Sequence, residues 1–210
     1  LKGDGVLSKV GKNTTSIYNG DGSAFNGTTN IYAGALLINS RLNGPVNVFE
    51  DGILGGSGTI TGNVVVVEKG GIAPGNSLGR LTIDGDLEMR AGSFYNVELL
   101  PEGGNSDLIE VTGTARIDGA IIHHIGLDGE YDPLGTWTIL TAGVLEGEFA
   151  DLISDYMFLG FAVKYENDSV ILEITRTGGD FSNYAYTHNQ RNVSQGLDSL
   201  KGGELYNNML

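Results

Sequence analysis

Short runs that follow a glycine and alternate between apolar and other residues recur along the first half of the chain. They begin at Gly44, Gly62, Gly85 and Gly113, at spacings of 18, 23 and 28 residues. An alternation with period two predicts strands with one buried face. A repeat of about 20 residues is in turn typical of a solenoid, in which each repeat forms one coil.

The alternation also predicts which side chains point inward. Val46 and Val48 in one run, and Leu87 and Met89 in another, occupy the apolar positions. The runs 59–61 and 81–83 supply a second strand per coil. No helical segment separates these strands, which disfavours βαβ units, so we expect parallel stacking of coils at about 4.8 Å. A β-sandwich could use the same strands, and the periodicity alone leaves that alternative open.

The pattern changes beyond residue 129. A β-rich run stands at 135–142, and two alternating runs flank a turn at 166–169, which predicts a β-hairpin. Because an open last coil would expose the core and a strand edge, we interpret 130–176 as a cap. The aromatic residues expected to form the core of this cap are Trp137, Phe149, Phe161 and Tyr165.

The last part of the chain, 177–210, is interpreted as a linker with a short helix. Val193, Leu197 and Leu200 are spaced as on one face of an amphipathic helix. The predicted fold is therefore all-β: parallel β-helix coils over 1–129, a hairpin cap over 130–176 and a helical tail.

The composition supports this fold class. Glycine accounts for 34 of the 210 residues, proline for four, and apolar residues for 40%. This apolar content excludes a disordered chain, and the glycines lack the period of three that collagen requires. Glycines at the corners between short strands explain their number, because corners need positive φ or leave no room for a Cβ.

The charge excludes one class of partner. The formal net charge is −14, from 12 basic and 26 acidic residues, and no local basic patch interrupts the acidity. Such a chain repels phosphate backbones, so nucleic acid is not expected as a partner. No apolar stretch reaches the roughly 18 residues of a spanning helix. Because the chain begins with Leu1 and carries no signal peptide, we expect it to be a piece of a longer protein.

Candidate chemistry is sparse in the sequence. His123 and His124 are adjacent, and neighbours on a strand point to opposite faces, which disfavours a shared metal ion. Ser57 lies between glycines but not in a nucleophile elbow. Carboxylates cluster at 102–110 and 146–151, yet loop spacing fixes no distance between them. We therefore predict no catalytic residue, no cofactor, no metal and no small-molecule substrate, that is, a protein that is not an enzyme. A polysaccharide-active enzyme ranks last among the alternatives.

Several motifs resemble, in order, those of one known family. They are FNGTTNIYAGAL at 25–36, LGGSGTI at 54–60, GIAPGNS at 71–77, WTILTA at 137–142, and NQRNV at 189–193 with Leu197-Asp198. Together they resemble the passenger of the type V autotransporters of Gram-negative bacteria, from its repeats through its autochaperone region to the linker before the outer-membrane barrel.

The resemblance implies a right-handed β-helix that is secreted or displayed on the bacterial surface, with an outer-membrane barrel as its partner. It also implies that the capped coils fold first and template the rest. We expect a stalk and interaction scaffold, such as an adhesin or virulence factor. Alternatively, loops at 101–107 and 125–135 bind a host cell-surface protein. The candidate residues of these loops are Glu102, Asn105, Asp107, Asp128, Glu130 and Tyr131.

Overall fold

The computed structural model describes residues 1–101, 104–129, 131–132, 134–156, 159–176, 185 and 187–200. Strands dominate this part of the chain, and one helix follows them. In chain order the elements are β1 (Lys2–Gly3), β2 (Val6–Lys9), β3 (Thr15–Tyr18), β4 (Ala24–Phe25), β5 (Thr28–Ile31), β6 (Gly34–Ile38), β7 (Arg41–Asn43), β8 (Val46–Val48), β9 (Gly52–Gly56), β10 (Thr59–Thr61), β11 (Val64–Val66), β12 (Gly71–Pro74), β13 (Arg80–Asp84), β14 (Leu87–Met89), β15 (Phe94–Glu98), β16 (Leu108–Val111), β17 (Thr114–Arg116), β18 (Ile121–Ile125), β19 (Thr136–Thr141), β20 (Val144–Glu146), β21 (Asp151–Ser154), β22 (Leu159–Glu166), β23 (Ser169–Arg176) and α1 (His188–Leu200).

The strands form three long sheets, to which each coil contributes one strand apiece. Sheet 1 has the order β2-β5-β8-β11-β14-β17-β20, and sheet 2 the order β21-β18-β15-β12-β9-β6-β3. Sheet 3 has the order β22-β23-β19-β16-β13-β10-β7, and β1 pairs with β4 in a separate small sheet. Neighbouring coils pair in parallel throughout sheets 1 and 2. The predicted parallel β-helix is confirmed.

Identical positions of successive coils lie above one another. In sheet 1, Val64 pairs with Val46 on one side and Leu87 on the other. All three side chains are fully buried, as the alternation predicts. Such stacking builds one continuous apolar core inside the coils, and burial of each aliphatic side chain contributes about 1.5–3 kcal/mol.

Gly44 illustrates why glycine turns the corner between sheets. Its φ is 89°, in the left-handed region that other residues rarely adopt, and a Cβ there would strike the backbone oxygen of Gly27 in the preceding coil. The corner therefore excludes side chains for two independent reasons, backbone conformation and the close approach of neighbouring coils.

Sheet 3 changes direction at the end of the coils. Strand β19 pairs in parallel with β16 and in an antiparallel sense with β23, which in turn pairs with β22. The turn of this hairpin contains Asn167 and Asp168, with φ values of 48° and 58°. These residue types tolerate the left-handed region best after glycine, so the predicted hairpin is confirmed. Phe158, at the start of the predicted alternation, lies outside the described residues.

Helix α1 begins with a reciprocal cap. The backbone N–H of Thr187 donates to Gln190 Oε1 at 2.8 Å, and the N–H of Gln190 donates to Thr187 Oγ1 at 3.2 Å. This is the arrangement of a capping box. Val193 is 63% exposed, while the side chains of Leu197 and Leu200 lie outside the description. Over the described ranges, no helix is long and apolar enough to cross a membrane.

Candidate functional site

The two predicted loops lie side by side. The first, predicted over 101–107 and described except at 102 and 103, has Leu99 and Leu100 at its base and closes through an antiparallel bridge between Leu99 and Ser106. The second, predicted over 125–135, is described except at 130 and 133, and its Asp132 N–H donates to the carbonyl of Pro101 at 3.0 Å. We call these segments the paired loops. They belong to successive turns of the solenoid, so a feature formed by both is specified by coil stacking and not by sequence proximity.

The candidate loop residues have different environments. Asn105 and Asp128 are exposed, whereas Tyr131 is half-buried. Glu102 and Glu130 lie outside the described residues. Asp107 differs from the expectation of a loop surface residue, because it is only 2% exposed. Of this set, the structure presents Asn105 and Asp128 to solvent.

Asp107 anchors the base of the first loop. Its Oδ1 accepts the N–H of Gly79 at 2.7 Å and its Oδ2 accepts the N–H of Glu98 at 2.9 Å. Burial raises the pKa of this carboxyl group to about 7, partly opposed by the two N–H donors. The hydroxyl of the fully buried Tyr95 donates to the carbonyl of Ile139 at 2.6 Å. Asp107 thus joins the first loop to the coil that precedes it.

The adjacent histidines occupy opposite faces of β18, as their positions on a strand predict. His123 faces outward, and its Nε2 lies 3.0 Å from Asp155 Oδ1. His124 is fully buried, with Nδ1 3.0 Å from Ser154 Oγ and Nε2 3.1 Å from the hydroxyl of Tyr131. Desolvation lowers the pKa of His124 to about 4. The ring is therefore neutral at physiological pH.

The Ser154–His124 contact joins a serine hydroxyl to an imidazole nitrogen, as in a catalytic serine and its general base, but the surroundings of the two groups differ. In such a pair the second ring nitrogen is oriented by a third group, and the histidine accepts a proton near the working pH. Here the third group is the phenol of Tyr131, and the pKa of His124 lies far below neutrality. This geometry is suited to joining segments, since the ring bonds the end of β21 to the second loop.

Aromatic side chains surround this contact and continue into the cap. Trp137 is fully buried and its Nε1–H donates to the carbonyl of Leu100 at 3.0 Å. Phe161 lies 4.6 Å from the His124 ring, centroid to centroid. Phe149 and Tyr165 are half-buried, and the Tyr165 hydroxyl accepts the N–H of Phe149 at 2.9 Å. The four aromatic residues thus lie in or against the core of the cap; their role in folding stays a prediction.

Sequence reasoning missed the contacts of Ser154 and Tyr156 altogether. The N–H of Tyr156 donates to Ser154 Oγ at 3.1 Å, and the Tyr156 hydroxyl donates to the carbonyl of Leu127 at 2.6 Å. No local pattern marks these residues. Within the part of the chain that the structure describes, no group of three or more His, Cys, Asp or Glu side chains is arranged to hold a metal ion.

Comparison with known proteins confirms the resemblance to autotransporter passengers. No protein-family model matches the chain. An extracellular serine protease of Serratia marcescens is 30% identical over 216 residues, which cover 97% of this chain and 20% of that protein. A second extracellular serine protease of the same organism is 27% identical over 218 residues, again 97% of this chain and 20% of the relative.

A third relative carries the family name. The adhesin BmaC autotransporter of Brucella suis biovar 1 (strain 1330) is 40% identical over 74 residues, or 33% of this chain and 2% of that protein. These matches support the interpretation of the chain as a fragment of an autotransporter passenger. It is secreted or displayed at the bacterial cell surface, and it spans about a fifth of the length of the two proteases it matches.

The prediction that the protein is not an enzyme is wrong. Both relatives that match 97% of the chain are named extracellular serine proteases. The prediction rested on a search for catalytic motifs within these 210 residues, which correspond to only 20% of either relative. Motifs in so small a share of a protein do not decide whether that protein is an enzyme.

Proposed function

We propose that this chain is the β-helical stem of a secreted serine protease of the autotransporter class, and that it supports secretion and presentation of that activity. The observation that carries the proposal is the match of 97% of the chain to two relatives named extracellular serine proteases. An outer-membrane barrel is the proposed transport partner. The continuous buried core suits a rigid support.

The cap gives this stem a physical means of supporting its own folding. Strand β19 joins the hairpin β22–β23 to the last coil strand of sheet 3, β16. A hairpin with a short turn makes local contacts, which form faster than pairings between distant residues. Once formed, it offers β19 as a template on which coils stack in register, each contacting only its neighbours.

The test uses the longer protein that contains this chain, produced in a Gram-negative host. Trp137→Ala is compared with Thr138→Ala, a truncation at an exposed position of the same strand. We expect Trp137→Ala to lower the amount of passenger outside the cell several-fold, while proteolysis per secreted molecule stays unchanged. Thr138→Ala should leave both quantities as they are. Normal secretion with reduced proteolysis per molecule would contradict the stem role.

A second function is supported by one observation, the meeting of the paired loops. They present the exposed Asn105 and Asp128 on a rigid scaffold, and loops so held commonly carry recognition. We propose a host cell-surface protein as the ligand. Replacing 104–106 by Gly-Ser-Gly should reduce binding of the protein to intact host cells without changing its secretion. Unchanged cell binding after replacement of these residues, and of Asp128 by Ala, would exclude the paired loops as the contact.

A further inference from the structure

One imidazole ring joins the segments around the paired loops. His124 contacts Ser154 Oγ through Nδ1 and the Tyr131 hydroxyl through Nε2, at 3.0 and 3.1 Å. The Tyr131 hydroxyl in turn donates to the carbonyl of Leu99 at 3.2 Å. The same hydroxyl oxygen accepts the N–H of Leu127 at 3.4 Å. The end of β21, the second loop and the first loop therefore share a single chain of hydrogen bonds.

The direction of that chain follows from counting protons. The Tyr131 hydroxyl has one proton, which it donates to Leu99, so Nε2 of His124 must be the N–H donor toward the Tyr131 oxygen. Nδ1 then carries no proton and accepts the hydroxyl proton of Ser154. Ser154 Oγ still has a lone pair for the N–H of Tyr156. Every group is satisfied only when the ring is neutral in this one tautomer.

Among the described residues no carboxylate hydrogen-bonds the ring, and the nearby Asp155 carboxylate opposes only part of the effect of burial. Phe161 packs 4.6 Å away, Tyr131 5.6 Å and Tyr156 6.0 Å, measured between ring centroids. The charged or titratable groups near it are His123 on the same strand, Asp155 after β21, and the two tyrosines. The Asp155 carboxylate is directed to other groups, since it contacts His123 and the N–H of Gly126.

We propose that His124 is a proton-sensitive latch that holds the second loop closed at neutral pH and releases it in acid. A second proton on the ring would sit at Nδ1, so that Ser154 could no longer donate to it. The Nε2–H bond to Tyr131 would remain, and what disfavours the closed loop is the burial of a positive charge among aromatic rings. Displacement of Tyr131 and of residues 126–129 lets water reach the charged ring. The released segment contains Asp128, so acid also changes the surface that the paired loops present.

The first loop responds in the opposite sense. Burial raises the pKa of the Asp107 carboxyl group at its base to about 7, so that group is uncharged in acid and fits its buried position. In acid, protonation of His124 therefore loosens the second loop, whereas protonation of Asp107 gives the anchor of the first loop its neutral form. The opening is confined to one of the paired loops and does not unfold the coils.

The size of the effect follows from proton linkage. The pKa of His124 is about 4 with the loop closed and 6.5 for a free histidine. The stability that neutral His124 gives the closed loop is therefore fully present above pH 6.5, and it is lost as the pH falls toward 4. Between pH 7 and pH 4.5 the ratio of closed to open loop falls about 60-fold. Hydrogen exchange of the Gly126 and Leu127 amides, corrected for intrinsic rates, should accelerate by up to that factor.

The matched variants are His124→Gln and His123→Gln. The first removes the buried titrating ring and should make exchange at Gly126 and Leu127 independent of pH, whereas the second changes the exposed neighbour and should preserve the acid response. A change below about threefold in the unsubstituted chain would overturn the proposal. So would an acid response that is lost with His123→Gln and kept with His124→Gln.

A measurement without substitution decides the case in which His124→Gln fails to fold. NMR titration of the imidazole resonances should give His124 a midpoint near its pKa of about 4. The amide resonances of Gly126 and Leu127 should move with the same midpoint. A His124 midpoint near 6.5, with the loop amides unchanged through it, would overturn the latch.

Discussion

Trp137 gives the sharpest test of how the cap is stabilised. It is fully buried, and its ring lies 6.1 Å from that of Tyr131 and 6.3 Å from that of Phe161, both edge-on. Replacing a buried tryptophan by alanine costs about 3–5 kcal/mol through lost burial and the cavity left behind. The carbonyl of Leu100 also loses the indole N–H that it accepts at 3.0 Å, which costs about 1 kcal/mol more.

A loss of this size is a large fraction of the 5–15 kcal/mol by which ordinary domains are stable. Since Trp137 is the one tryptophan of the chain, its removal abolishes tryptophan fluorescence, and urea unfolding is followed by far-ultraviolet circular dichroism instead. The midpoint for Trp137→Ala should fall well below that of the unsubstituted chain with a similar slope.

Two controls separate the contributions. Trp137→Phe keeps most of the ring but removes the N–H donor, so it should cost about 1–2 kcal/mol. Thr138→Ala, at an exposed neighbouring position, should stay within about 0.5 kcal/mol of the unsubstituted chain. If Trp137→Ala costs less than about 1 kcal/mol, or no more than Trp137→Phe, the cavity reasoning is refuted.

Three further predictions concern the corners, the first loop and the hairpin. Gly44→Ala should lower the melting temperature far more than Gly104→Ala, because both have positive φ but only the first lacks space for a Cβ; equal losses would contradict this. Asp107 contributes stability that is present below pH 3.8 and lost as the pH rises to its pKa of about 7. Asp107→Asn should therefore gain stability relative to the unsubstituted chain from pH 4 to pH 7 in urea titrations, by up to about 1.4 kcal/mol per pH unit, and a constant difference would exclude that titration. Tyr165→Phe should cost about 1 kcal/mol and accelerate exchange of the Phe149 amide, which donates to the lost hydroxyl; an unchanged exchange rate would show that this bond does not protect the amide.

The coils were predictable because each carries its own periodic signal. Alternation marks β8, β11 and β14, and the inward residues of these strands are buried as expected. Strand β12 (Gly71–Pro74) has no such signal, because glycine and proline are poor strand formers. It is a strand because Ile72, fully buried, stacks on Leu54 of the preceding coil and Tyr95 of the next.

The site was less predictable because its contacts join distant parts of the chain. Strand alternation placed His123 and His124 on opposite faces, but Tyr131 and Ser154 reach His124 across 7 and 30 residues. Asp107 was expected at a loop surface because it lies in the predicted loop 101–107. A local antiparallel bridge between Leu99 and Ser106 instead returns it beneath the coil, where it accepts two backbone N–H groups.

The hairpin that extends sheet 3 beyond sheets 1 and 2 has a consequence for self-association. Sheets 1 and 2 end in strands that continue the parallel pattern, β20 and β21, whereas sheet 3 ends in the antiparallel hairpin strand β22. A second copy stacked head-to-tail on this end would have to match all three edges at once, but sheet 3 extends beyond the other two sheets by the two hairpin strands β23 and β22. Open-ended growth into fibres, a hazard of heterologous contacts, is therefore blocked at this end by geometry and not by charge alone.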